Sequence, residues 1–416
     1  MIAVSASPAF TGGAQSGRMS APRLLRPPVV NVPAYFDLKL LAPRRILTGA
    51  GCRQALPSLL AEDGRSRPLL VVDPRLGTSP ALEDLTLRLE SALGPVPVTL
   101  EVPGEPDVEC SEAIARVLKA GAHDCVIAVG GGSVIDAAKG AAVAATNPGQ
   151  LVAYEGFDRF PVDPLPLYAL PTTAGTGSEV TRVTVLGVHH PPRKISIKGA
   201  RLVPTAALVD PDFLVTVPPR VGAAAATDAL THALEAYLRP ASTPVSRALG
   251  LRAATMILRV MRDGADYATP ANWSELATAS MLAGLAFGNS DVGPVHCLAE
   301  SIGAVYKAPH GAANAVFLGP VLGYYGNLVA EPLAEVARTV WPDELAGLDA
   351  AAATRRLVAA VDAYVAANAV GTLRSLCGGE LDVDVIAALA ETNNSNASGP
   401  IPMTVTDYRA IMVSML

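Results

Sequence analysis

Cys125-Val-Ile-Ala-Val-Gly-Gly-Gly-Ser-Val-Ile-Asp-Ala-Ala-Lys-Gly140 is the stretch from which the fold of this chain can be read. The apolar run Cys125 to Val129 suits a buried parallel strand, and the Ala-rich segment Val134 to Ala145 suits a helix. Between them, Gly130, Gly131 and Gly132 remove the Cβ atoms that hold a pyrophosphate away from the backbone. The helix start then offers free N–H groups and a partial positive charge. Ser133 is expected to cap that helix, with Asp136 three residues on completing a capping-box-like pair. A glycine-rich turn without a ligand has the same letters, but the strand-turn-helix setting favours phosphate.

Upstream, the same alternation repeats. A strand is expected at Arg44 to Leu47, a helix at Cys52 to Glu62, a strand at Pro68 to Asp73 and a helix at Glu83 to Leu93. A strand at Val96 to Val102 and a helix at Cys110 to Ala120 follow. This pattern implies a doubly wound α/β unit. Asp73, at the end of an early strand, can accept both hydroxyls of an adenosine ribose and repel a 2′-phosphate, which favours NAD over NADP; it also suits an ordinary exposed Asp before Pro74. Downstream, the apolar Leu165 to Leu170 leads into Pro171-Thr-Thr-Ala-Gly-Thr-Gly-Ser-Glu179. There Thr172, Thr173 and Thr176 place hydroxyls among permissive glycines, suited to phosphate and ribose oxygens or to a plain solvated loop. Two such loops in one α/β unit favour a dinucleotide.

After Val209-Asp210-Pro211 the strand signal fades, and Ala/Leu-rich stretches of period near 3.6 run to the C-terminus. The expected organisation is a flexible tail over 1–30, an NAD-binding α/β domain over 31–212 and an all-α metal-binding domain over 213–416. A cleft between the two domains is the natural ligand site. With 416 residues, 50% of them hydrophobic and 17% charged, the chain can bury a large core, and its net charge of -6 without basic clusters argues against nucleic acid. The five cysteines are scattered and never form CxxC, so neither a disulfide framework nor a thiolate zinc site is expected. With no long apolar run and no secretory leader read at its start, the expectation is a cytoplasmic protein away from membranes.

Three of the six histidines, His232, His296 and His310, fall in the helical half. Asp228 and His232 are four apart and share one face of an otherwise apolar helix. A carboxylate and an imidazole there are expensive to bury unless paired, and a divalent cation pairs with both. One Asp and three His suit Fe²⁺ or Zn²⁺. The same residues also fit a hydrogen-bonded Asp–His couple and a helix-capping His310. His123, His189 and His190 sit near expected turns and are given no role.

Gly130 to Lys139, Pro171 to Glu179, Asp228 to Tyr237, and Gly293-Pro-Val-His296 through Pro309-His310-Gly-Ala-Ala-Asn314 closely resemble the iron-containing (group III) alcohol dehydrogenases. The likeness runs over about residues 40–416, in order. It implies a Rossmann-like NAD domain followed by an all-helical domain, the two-domain plan also found in dehydroquinate synthase-like proteins. It further implies a metal between the domains that polarises an alcohol or aldehyde oxygen for hydride transfer to or from NAD. On that resemblance the metal ligands are Asp228, His232, His296 and His310, with Fe²⁺ expected before Zn²⁺. The cofactor residues are Asp73, Gly131, Gly132, Ser133, Thr172, Thr173 and Thr176, with Asp136 beside them and Lys194 near the nicotinamide ribose. Phe287 matches a substrate-pocket aromatic and also suits core packing.

One departure stands out. Where many members carry a second histidine near the nicotinamide, this chain has Glu300, which suits a proton relay, a brace for His296 or Lys194, or a structural role. Lys194 and Glu300 are the candidate catalytic side chains. Near the C-terminus, Ser395 lies in the polar run Thr392 to Ser398, which suits either an exposed loop or a pocket wall for a polar or anionic group such as that of phosphonoacetaldehyde. A homodimer or larger homo-oligomer is expected. The competing functions are a dehydroquinate synthase- or glycerol-phosphate dehydrogenase-like enzyme, a metal-free maleylacetate reductase, and a non-catalytic NAD- and metal-binding protein.

Overall fold

A computed structural model describes residues 40–416 apart from 78, 100, 101, 103, 191 and 265–268. The expected tail over 1–30 lies outside the described residues. The first half holds strands β1 (Arg45–Thr48), β2 (Pro68–Val72), β3 (Val98–Thr99), β4 (Cys125–Gly130), β5 (Gly156–Phe157), β6 (Leu167–Pro171), β7 (Val183–His189), β8 (Pro192–Lys198) and β9 (Ala206–Val209). Helices α1 (Leu56–Glu62), α2 (Pro80–Leu93), α3 (Val108–Ala120) and α4 (Gly132–Thr146) alternate with the early strands. Six strands form one sheet in the order β1-β9-β6-β4-β2-β3, every neighbouring pair parallel.

Parallel strands covered on both faces must be apolar throughout, and β2, β4, β6 and β9 are buried at every residue. Alternate residues serve opposite faces: Leu70 and Val72 join one core, Leu69 and Val71 the other. The chain moves outward from β2 to β3, then returns past β2 to β4. The order therefore reverses at the β2/β4 boundary, and ligands of open α/β sheets bind beyond the strand ends at such a point.

Two sequence expectations change here. The strand expected over Val96 to Val102 is an edge strand of two described residues, Val98 and Thr99, too short to show a pattern of its own. The segment 183–198, to which the sequence assigns no element beyond turns near His189 and His190, is an antiparallel hairpin, β7 against β8. With β5 it makes a second, three-stranded sheet beside the cleft.

From Pro219 the chain is helical: α5 (Pro219–Leu238), α6 (Pro244–Arg262), α7 (Pro270–Gly288), α8 (Pro294–Tyr306), α9 (His310–Tyr325), α10 (Ala330–Val340), α11 (Ala350–Ala367), α12 (Leu373–Leu376), α13 (Val383–Thr392) and α14 (Val405–Ser414). Proline near the first position starts α5 through α8, where its missing N–H costs nothing and its fixed φ suits the helix. No described helix is long and apolar enough to cross a membrane. The halves meet closely. Gly177, at φ 61°, lies against α7, where an added Cβ would come 2.5 Å from Gly284 Cα. One apolar core runs from Leu56 in α1 through the sheet face to Met412 in α14.

Candidate active site

The cleft between the halves is a cavity of about 980 Å³ whose walls include both Gly132, Ser133 and Thr176 and the imidazoles of His232, His296 and His310. Here α5 presents Asp228 and His232 one turn apart, α8 presents His296 in its first turn, and α9 begins at His310. One donor atom from each of these four side chains lies within 4.8 Å of the others. Nε2 of His296 and Nε2 of His310 stand 3.8 Å and 3.7 Å from the same Asp228 Oδ1. Donors bound at about 2.0–2.2 Å to one ion are separated by no more than roughly 4.4 Å, so the 3.7 Å and 3.8 Å separations suit a shared cation.

The burial of these groups makes the same case. His296 Nε2 is buried and has no hydrogen-bond partner among the described residues, a cost that a cation removes. Burial pushes His232 down to about 3, against the pull of Asp228, so its ring is neutral and keeps a lone pair for a metal. Burial lowers His310 as well. The Nδ1 atoms of two of the rings are braced: His232 Nδ1 meets the Gly175 carbonyl at 3.2 Å, and His296 Nδ1 meets Glu235 Oε2 at 2.6 Å. Burial lowers His296, but the charge and hydrogen bond of Glu235 outweigh it and raise its pKa above the usual value. Such outer partners fix ring orientation and raise ligand basicity.

Two residues of this site went unread in the sequence, Glu235 and Asn314. Glu235 follows Asp228 by seven and His232 by three on α5, so the helical period that paired the first two also reaches it. Besides His296, it accepts the backbone N–H groups of Gly293 and Val295 at 2.7 Å each, tying α8's first turn to α5. Asn314, one turn after His310 on α9, donates from Nδ2 to Asp228 Oδ1 at 2.6 Å. The brace for His296 expected of Glu300 is thus supplied by Glu235. Replacing Glu235 with Ala is expected to weaken cation affinity by about 10–100-fold, the usual range for such outer-shell changes. Competition with a chromophoric chelator measures this, and unchanged affinity would remove Glu235 from the site.

Phe287 stacks on His232 with centroids 4.1 Å apart and an interplanar angle of 14°, and it also lines the cavity. Glu300 lines the cavity too, with Oε2 accepting from Asn393 Nδ2 at 2.7 Å. Lys194 is on the cavity wall, but its ammonium reaches Glu105 at 2.8 Å instead of Glu300. The run from Thr392 is not simply an exposed loop. Ser395 lines the cavity and donates to Asp291, while Asn396 is buried and holds the backbone of Met403.

On the dinucleotide side, the helix α4 starts at Gly132 with Gly131 as its N-cap and no side-chain cap. Ser133 and Asp136 therefore do not form the expected capping pair, because both already lie inside the helix. Ser133 Oγ donates to the Gly104 carbonyl at 2.5 Å, and Asp136 Oδ2 accepts from the Val185 backbone at 2.9 Å, anchoring β7. The glycines allow close approach: a Cβ on Gly131 would lie 3.2 Å from Thr173 Oγ1, and one on Gly132 would lie 2.7 Å from Thr176 Cγ2. The two expected phosphate loops thus pack on each other. Thr172 is buried, and its backbone N–H donates to the Gly130 carbonyl at 3.1 Å. Asp73 stands at the end of β2 next to this loop, but its carboxylate is clamped by Arg75. His123 and His189 do not line the cavity.

Residues 43–211 match the family model described as iron-containing alcohol dehydrogenase, and residues 222–416 match the model for the C-terminal part of that family. The chain belongs to the iron-containing alcohol dehydrogenase family. It is 32% identical over 401 residues to long-chain-alcohol dehydrogenase 1 of Geobacillus thermodenitrificans, covering 94% of this chain and 96% of that one. It is 30% identical to the NAD-dependent methanol dehydrogenase of Bacillus methanolicus, covering 90% and 98%. A solved structure of 1,3-propanediol oxidoreductase superposes with a TM-score of 0.86 at 30% identity, covering 92% of this chain and all of that one. With this membership the chain is an NAD-dependent, metal-dependent alcohol dehydrogenase that interconverts alcohols and aldehydes. The family's metal is a divalent cation, typically iron.

Proposed function

We propose that the chain interconverts a small primary alcohol bearing a further neutral polar group with its aldehyde, and that Asp228, His232, His296 and His310 hold the cation at the reacting oxygen. The observation carrying this reading is the convergence of those four side chains, three of which, His232, His296 and His310, line the cavity that also reaches the Gly132 loop. When bound, the cation supplies a Lewis acid for the substrate oxygen and NAD supplies the hydride acceptor.

The chain's own residues do the rest. The stacked rings of Phe287, His232 and His296 form a dry wall on one side of the reacting centre. Glu235 and Asn314 keep the donor set in place before substrate arrives. Glu300, exposed to the cavity and oriented by Asn393, takes the hydroxyl proton out toward solvent. The choice of a neutral polar substrate over an anionic one rests on the stretch of cavity wall that carries Glu300 and Asp291. There, Glu300 and Asp291 bring two carboxylates, while Ser395 and Asn393 bring hydrogen-bonding groups. A phosphonate or carboxylate on the substrate meets like charge at this wall.

Iron and zinc content measured together with NADH-linked turnover over an alcohol and aldehyde panel tests the reading. A diol is expected to exceed the hydroxy acid of equal length in kcat/KM by about tenfold or more, since like-charge contact costs on the order of 1.4 kcal/mol per factor of ten. Preference for the acid would remove the assignment of that wall.

A further inference from the structure

Asp73 occupies the position that separates one dinucleotide from another. It follows β2 directly, and its backbone N–H donates to the Val129 carbonyl on β4 at 2.9 Å, one residue before the glycine loop begins. This is the crevice where the strand order reverses and where an adenosine ribose lies in doubly wound folds. A free carboxylate there accepts ribose hydroxyls and repels a 2′-phosphate.

This carboxylate is not free. A carboxylate has about four acceptor positions, and here three are used by one residue. Arg75 donates its backbone N–H and its Nε to Asp73 Oδ1, both at 2.9 Å, and its Nη2 to Oδ2 at 2.7 Å. Asp73 is 5% exposed, whereas the Arg75 side chain is 72% exposed, so the buried acid is covered by a guanidinium facing solvent. Burial alone would raise the Asp73 pKa, but Arg75's hydrogen bonds and charge more than offset it and keep the group ionised. The pair is close to neutral, and among the described residues Arg75 Nη1 has no hydrogen-bond partner. A planar guanidinium with open N–H groups beside the ribose position is the group that accommodates a 2′-phosphate.

We propose that Arg75, by clamping Asp73 and facing the adenosine ribose, lets this chain bind NADPH with an affinity comparable to that for NADH. The inference rests on the dinucleotide lying at the β2/β4 strand ends. It reverses the expectation that Asp73 restricts the cofactor to NAD. Arg75 acts as a specificity-determining residue, and Asp73 serves as its anchor.

Fluorescence titration of the metal-loaded full chain with NADH and with NADPH tests the proposal by binding alone. For the wild type, the two Kd values are expected to lie within about tenfold of each other. Arg75→Ala exposes the bare carboxylate and is expected to weaken NADPH by roughly 30-fold, from the lost charge-assisted hydrogen bonds, while NADH changes by less than about threefold. Arg75→Lys, which keeps the charge but not the fork, is expected to fall between the two, with NADPH more sensitive to salt than NADH. Circular dichroism shows that the variants fold. Tight NADH binding with NADPH at least about 100-fold weaker, and a ratio that Arg75→Ala leaves unchanged, overturns the proposal alone. If wild type binds neither dinucleotide, the proposal falls together with the cofactor placement beneath it.

Discussion

Replacing His296 with Ala is expected to remove bound metal and turnover together. Lewis-acid stabilisation of the reacting oxygen is worth several kcal/mol, and each 1.4 kcal/mol is tenfold, so kcat/KM should fall by about 10³-fold or more. The loss has two sources. The substitution deletes the donor nitrogen that has no other partner, and it leaves Glu235 holding a charge with one hydrogen bond fewer in a buried setting. Elemental analysis and NADH-linked rates on one preparation decide the matter. A variant that keeps stoichiometric metal and near-normal rates would detach His296 from the site. The conservative change His310→Gln, at the more open edge of the cluster, is expected to lose less metal than His296→Ala.

The second large effect is expected at a glycine that touches neither ligand. Gly177 sits at φ 61°, where a β-branched side chain is strongly disfavoured, and a Cβ there would stand 2.5 Å from Gly284 Cα and 3.4 Å from the Ser280 carbonyl oxygen. Both objections act at once, and the obstacle is backbone, which cannot rotate aside. Gly177→Val is expected to destabilise the protein by about 4 kcal/mol or to prevent folding, the upper end of single-residue effects. Denaturant titration measures it. Gly64→Val is the control, because that glycine also has positive φ, 67°, but nothing within 4 Å of its added Cβ, so only the backbone term remains. Equal losses at both positions would show that the contact with α7 contributes nothing.

Legibility in the sequence followed the range of the interactions. The glycine loop, the strands around it and the Asp228–His232 pair are local patterns, and each is found within a residue or two of where it was read. The convergence of His296 and His310 on that pair was carried by resemblance, since no local rule brings three helices to one point. The hairpin Val183–Lys198 escaped because β7 is only partly buried and contains Gly187, so its alternation is weak until the partner strand is known. Ser133 and Asp136 were misplaced because α4 begins two residues earlier than the cap at Ser133 requires. Glu235 was within reach of the same i, i+4, i+7 rule that exposed its neighbours, yet a carboxylate near a helix end reads as surface until its burial is seen. Arg75 was invisible for another reason. Two residues from Asp73, it gives no helical or strand period, and only a turn at Pro74–Leu76 folds it back onto the acid.

The apolar core that runs from α1 to α14 also governs how the molecule can move and melt. Two leaves with separate interiors can swing apart like a clamshell or denature one after the other. Here the wall that would have to part is itself interior, so admission of substrate falls to side chains and short loops at the rim. Calorimetry should record one heat-absorption peak for the protein, because loss of either half opens the apolar core that both share, even though the first half holds a second core of its own.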